Sequence, residues 1–126
     1  MAKKKPIYKK FRHERGFIGL PRHVFESPAY RSLSLKARCL LDELQNLYRL
    51  GRNGRIVLSV ERAAKNLNAC NNTAKAAFEE LQAKGFIVMN LDSDHTKGRA
   101  REWRLTYEPC QGREPTDEWK DWKSLS

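Results

Sequence analysis

Two apolar-periodic stretches separated by about four residues constrain this chain more than any other feature. Ser59 can cap a helix over Val60 to Leu67, in which Ala63 and Ala64 leave room for a second helix to cross closely. From about Asn72 to Lys84, Ala74, Ala77, Phe78 and Leu81 recur at three- and four-residue steps, and Gly85 supplies the stop. The break between them is Asn68-Ala69-Cys70-Asn71, with Asn68 suited to the left-handed backbone of a tight turn. Helices joined by so short a turn cannot lie antiparallel, so the pair is expected to cross steeply.

The flanking segments build a fold around that pair. Ser27-Pro28-Ala29-Tyr30 reads as a cap followed by proline at the first helical position, where its missing N–H does no harm. Ser34 can cap a longer helix, about 35–50, whose Ala37, Leu40, Leu41, Leu44, Leu47 and Tyr48 form one apolar face and the main prop of the core. Gly51, Asn53 and Gly54 are expected to turn the chain into a short strand, Ile56 to Leu58. Phe86 to Met89 and Glu102 to Tyr107 read as paired strands, the second with Trp103, Leu105 and Tyr107 inward and Glu102, Arg104 and Thr106 outward. Asn90 to Ala100, between them, is too long and polar for a tight hairpin and reads as a mobile wing loop. In the tail, Thr116-Asp117-Glu118-Trp119 is a helix start, with Trp119 and Trp122 spaced to dock on something apolar.

A chain of 126 residues, 40% apolar, can bury one modest core. We divide it into a flexible basic arm, 1–16, a folded domain, 17–108, and a C-terminal tail, 109–126. The net charge of +10 makes a polyanion the expected partner, because clustered cations gain free energy by releasing counterions from phosphates. The arm carries Lys3, Lys4, Lys5, Lys9, Lys10, Arg12 and Arg15 against Glu14 alone, a balance of +6. The tail, at −1, is poorly suited to meet phosphate. No stretch approaches the roughly 18 to 20 apolar residues that span a bilayer, and no apolar signal core follows the charged N-terminus, so no membrane association and a cytoplasmic, nucleoid-associated location are expected. Cys39, Cys70 and Cys110 lie far apart without a Cys-x-x-Cys pair and read as reduced thiols. His13, His23 and His95 share no metal-ligand spacing, and the chain has no glycine-rich phosphate loop, Ser/His/Asp signature or paired-carboxylate motif. Neither a metal, a cofactor nor an enzymatic activity is expected.

The order helix, strand, helix, turn, helix, strand, wing, strand over about residues 34–107 resembles the winged helix-turn-helix superfamily. The stretches that carry the likeness are Leu58 to Asn68, Asn71 to Leu81 and Gly85-Phe86-Ile87. They resemble the run of first helix, turn, recognition helix and Leu-x-x-x-Gly-Phe-Ile in bacterial winged-helix regulators and plasmid or phage replication proteins. Leu20-Pro21 through Ser27-Pro28-Ala29, with Trp103-Arg104-Leu105-Thr106, is similar to small alphaproteobacterial helix-turn-helix proteins often encoded on mobile elements. Asn68 stands where many such turns have glycine. The resemblance implies an α+β, mainly α, winged helix-turn-helix with a two- to three-stranded antiparallel wing sheet, and DNA binding.

With Ala74, Ala77, Phe78 and Leu81 inward, the 72–84 helix turns Asn71, Asn72, Thr73, Lys75, Ala76 and Glu79 outward, and its N-terminal half would enter the major groove. Asparagine can pair with adenine through both amide groups, Lys75 can reach guanine acceptors or a phosphate, and Thr73 and Ala76 can meet a thymine methyl. Alternatively, Asn71 or Asn72 caps the helix and Lys75 is a solvated charge. Lys97, Arg99 and Arg101 at the wing, together with the arm lysines, suit phosphate or minor-groove contact, and Arg49, Arg52 and Arg55 extend the basic set. Three readings stay open: a sequence-specific duplex-DNA-binding transcriptional regulator, working as a homodimer on a palindrome or otherwise; a replication-type accessory DNA module that holds a protein partner through its Trp119/Trp122 tail; and a winged-helix module for RNA or protein.

Overall fold

Three serines start three helices in the computed structural model, which describes residues 18–48, 53–89, 102–108, 110 and 113–123. After a four-residue helix α1 (Arg22–Phe25), Ser27 accepts the Tyr30 amide at 3.1 Å and opens α2 (Pro28–Arg31). Ser34 accepts the Ala37 amide at 3.2 Å at the head of α3 (Leu35–Leu47), and Ser59 the Arg62 amide at 3.1 Å at the head of α4 (Val60–Asn66). Each hydroxyl satisfies one of the first-turn N–H groups that a helix leaves without a partner. The turn after α4 places Asn68 at φ 54°, the left-handed conformation expected of it, and α5 (Asn71–Ala83) follows.

The architecture is α+β and mainly helical, with one three-stranded antiparallel sheet among the described residues. β1 (Ile56–Val57) and β2 (Ile87–Met89) flank a central β3 (Glu102–Leu105), which pairs Trp103 with both Ile56 and Met89. The core lies between α3, α4, α5 and the sheet. Ala37, Leu40, Leu41 and Leu44 of α3, Ala63 and Ala64 of α4, and Ala74, Ala77, Phe78 and Leu81 of α5 are all buried, as their spacing requires. Trp103 stacks on Phe78 with ring centroids 5.3 Å apart.

Several boundaries differ from the sequence reading. Helix α3 ends at Leu47 rather than near residue 50, because Tyr48 turns extended while its N–H closes on the Leu44 and Gln45 carbonyls. Asn53, expected as a turn residue, lies in the turn but is buried at 1% exposure. Its side chain pairs with the backbone of Leu105: Nδ2 donates to the carbonyl at 2.9 Å, and Oδ1 accepts the amide at 2.8 Å. Nδ2 also donates to Glu108 O, and Oδ1 accepts Gly54 N, so every hydrogen-bonding site of the amide is used. β3 stops at Leu105, where the chain turns, and Thr106 therefore faces inward rather than outward. Its hydroxyl donates to the Gly85 carbonyl at 2.7 Å.

One contact supplies in three dimensions what the sequence around Ser34 lacks. A Ser/Thr cap is often matched by a Glu three residues later that reaches back to the cap amide, but here that position is Ala37. Glu80 of α5 takes the role instead, accepting both the Ser34 amide and the Ser34 hydroxyl at 2.7 Å, with Lys84 at 3.4 Å on the same carboxylate. Burial alone would raise the Glu80 pKa, but the Ser34 hydrogen bonds and the Lys84 ammonium outweigh it and hold the carboxyl below its ordinary value. Its contribution to stability is then full above the unfolded pKa of about 4.3 and disappears as pH falls through the lower folded value. Glu80→Ala is expected to lose about 1.5 kcal/mol at pH 7, the range for charge-assisted hydrogen bonds at a partly solvated site. Denaturant titrations of both proteins at pH 7 and pH 3 check this, and a gap that does not narrow at pH 3 would contradict it.

The C-terminal segment closes over the end of the sheet. A 3₁₀ turn, Glu118–Asp121, follows Asp117 at φ 52° and buries Trp119, whose ring lies parallel to Phe86 at 6.4 Å and tilted against His23 at 5.7 Å. Arg104 holds this segment through Thr116 at 2.7 Å and Glu118 at 3.3 Å, and Lys84 lies over the Trp122 ring. The apolar surface that the tail tryptophans need is the protein's own.

Candidate nucleic-acid interface

Helix α5 sorts its residues into two faces. Ala74, Ala77, Phe78 and Leu81 are inside, while Asn71, Asn72, Lys75, Ala76 and Glu79 are exposed and Thr73 is half-buried. The outward row expected from the sequence is therefore present as a surface. Among the described residues, no side chain pairs with Asn71, Asn72 or Lys75, so these polar groups are not consumed by the fold.

The capping alternative for the asparagines does not hold. Cys70 occupies the cap position and Asn71 and Asn72 are the first two helical residues. Cys70 makes no side-chain cap bond, and its exposed sulfur lies 3.2 Å from the Thr73 hydroxyl. That hydrogen bond, with the first-turn backbone amides lying near the sulfur, holds the thiol below its ordinary pKa. No acidic residue stands in the first turn, so the positive end of the helix dipole is not offset there. Carboxylates enter only later, at Glu79 and Glu80. The N-terminal half of α5 thus favours an anion and the C-terminal half does not.

Neighbouring elements add exposed cations. Arg62 and Lys65 project from α4, Arg55 precedes β1, and Lys36 donates to the Leu67 carbonyl at 3.0 Å at the end of α4. The wing residues Lys97, Arg99 and Arg101, the arm residues Lys3, Lys4, Lys5, Lys9 and Lys10, and Arg49 and Arg52 lie outside the described residues. So do His13 and His95, while His23 is packed against Trp119. Among the described residues no group of three or more His, Cys, Asp or Glu side chains could hold a metal ion, and no helix is long and apolar enough to cross a membrane. The three cysteines are free thiols, and Cys110 donates to the Asn53 carbonyl.

The sequence reading did not find Cys70 as the cap, although Cys70 and Thr73 have the spacing of a cap and its third helical residue. Nor did it find Lys36 at the end of α4, which sequence distance hides. Compared with known proteins, the chain matches no family model, no curated protein and no solved structure.

Proposed function

We propose that this protein is a winged helix-turn-helix DNA-binding protein that reads a duplex sequence with the N-terminal half of α5 and acts as a transcriptional regulator. The observation that carries the reading is the exposed, unpartnered row Asn71, Asn72, Lys75 and Ala76 at the start of the second helix of a short-turn pair. Helix α4 and the Asn68 turn hold that row outward, and the row is made of residues that discriminate base edges. Asn72 offers both amide groups to an adenine, Lys75 reaches a guanine or a phosphate, and the Ala76 methyl meets thymine. Glu79 sets the limit of entry, since a carboxylate deeper in the groove would be repelled by phosphate. Wing residues 90–100 and the basic arm supply backbone or minor-groove affinity without sequence information.

Selection of bound sequences from a random duplex library tests this. The intact chain is expected to enrich a motif, and Asn72→Ala with Lys75→Ala to lose it, at about 1–3 kcal/mol of discrimination for each base pair read. Removing residues 1–16 is expected to weaken binding uniformly across sequences and to flatten its salt dependence by about 0.9 for each phosphate that the arm no longer neutralises. Binding that fades with salt but enriches no motif would refute sequence-specific readout. The partner-binding tail has no observation in its favour, because Trp119 is buried against Phe86 and His23.

A further inference from the structure

We infer that the hollow between α3 and Tyr107 is a binding site for a small primary amine with an apolar body. This inference is independent of DNA binding. The cavity measures about 270 Å³ and is lined by Ile18, Leu20 and Leu41 on the apolar side of its chemistry, and by Asp42, Gln45 and Tyr107 on the polar side. Three of these residues, Leu41, Asp42 and Gln45, come from one stretch of α3, and Tyr107 comes from the turn after β3. The Tyr107 hydroxyl donates to Gln45 Oε1, which fixes the rim and leaves the phenol oxygen able to accept.

The charge at this cavity runs against the rest of the chain. Net charge is +10, yet Asp42 has no cationic partner among the described residues. Its side chain keeps an open face to solvent, while partial burial, reinforced by Glu43, raises its pKa. Burial also raises the Tyr107 phenol, and Glu108 and Asp42 push it the same way, so both carboxylates act on the same hydroxyl. An ammonium placed there offsets the cost of holding Asp42 ionised beside Glu43, and it can donate to the Asp42 carboxylate and to the Tyr107 oxygen, both of which line the cavity. An anion meets the opposite field. The volume is that of about nine waters of liquid, enough for an aryl or short alkyl chain on the amine and too small for a long polycation. That chain would cover the exposed Ile18 and the half-buried Leu20 at the mouth, with the buried Leu41 as the wall behind them.

The test uses the full chain, without DNA, titrated with 2-phenylethylamine at pH 7 and followed by calorimetry and by amide NMR shifts. Two matched probes, 2-phenylethanol and 3-phenylpropionate, keep the ring and replace the ammonium by a neutral and an anionic group. The amine is expected to bind saturably with shifts at Leu41, Asp42, Gln45 and Tyr107. The alcohol is expected to bind about ten-fold more weakly or worse, because its hydroxyl brings one donor and no positive charge to Asp42, and the acid not at all, because at pH 7 it has no donor and is repelled by the carboxylate. Asp42→Asn is expected to lose about the same factor. Ile18→Arg, at an exposed position that does not burden folding, fills the mouth and is expected to abolish binding. Equal affinity for amine and alcohol, unchanged affinity in Asp42→Asn or Ile18→Arg, or no saturable binding at millimolar amine each overturns the inference.

Discussion

Asn53→Asp is expected to destabilise the fold by about 3–5 kcal/mol at pH 7, although the two side chains differ by one atom in shape. Asn53 donates from Nδ2 to the carbonyls of Leu105 and Glu108 at 2.9 and 3.0 Å, and it does so while 1% exposed. A carboxylate has no donor. Ionised, it would face two carbonyl oxygens inside the protein; protonated, it satisfies one of them and leaves the other bare. A buried acceptor left without a partner costs about 1–3 kcal/mol, and keeping the acid protonated at pH 7 costs more. Such a carboxyl titrates above its unfolded value near 3.9, so the deficit is smallest below about pH 4 and grows as pH rises towards the folded pKa. Thermal unfolding at pH 4 and pH 7 measures this. At roughly 4–8 °C per kcal/mol for a domain of this size, the fall at neutral pH is on the order of 20 °C. A variant that melts within a few degrees of the parent at both pH values would show that Asn53 does not hold β3 in place.

The second large effect is at Gly85. Its φ of 83° is strained for any residue with a Cβ, which alone costs about 1 kcal/mol. The larger part comes from the tail. A Cβ there would stand 2.6 Å from the Glu118 carbonyl carbon and 2.7 Å from the Trp119 nitrogen, and backbone cannot yield as a flexible side chain can. Gly85→Ala is therefore expected to lift residues 116–122 off the sheet and expose Trp119. The destabilisation approaches the roughly 3–5 kcal/mol that truncating a buried Trp costs. Gly85→Asn separates the two causes, since asparagine tolerates the left-handed backbone but keeps the Cβ. Both variants should shift tryptophan emission to the red and open the tail to protease. If Gly85→Asn behaves like the parent, the cost is conformational and the close approach of the tail is not decisive.

Both positions show how far the sequence could be read. Gly85 was legible as a helix stop, because a glycine after an apolar-periodic run means a left-handed terminus. Its second role, as the floor under Glu118 and Trp119, comes from a segment more than thirty residues away and left no local mark. Asn53 next to Gly54 has the composition of a surface turn, and nothing nearby in the chain marks Leu105 as its partner. The outward row of α5 was legible for the opposite reason. Ala74, Ala77, Phe78 and Leu81 set the buried face at the period of the helix, and the rest of the helix had to face out.

The sequence by itself determined helices α2 to α5 and their inward faces, though not the short α1 at Arg22–Phe25, and with them the serine caps, the left-handed turn at Asn68 and the pairing of the last two strands. These depend on residues within about four positions of one another, or on alternation along one strand. Only the tertiary structure decided that Cys70 rather than an asparagine begins α5, that Glu80 completes the cap of α3, that Thr106 turns inward, that Trp119 belongs to the core, and that Asp42 and Tyr107 meet at a cavity. Each of these is settled by which carbonyl, amide or ring lies within a few ångströms after folding. That distance depends on how whole elements pack, and no local pattern of residues encodes it.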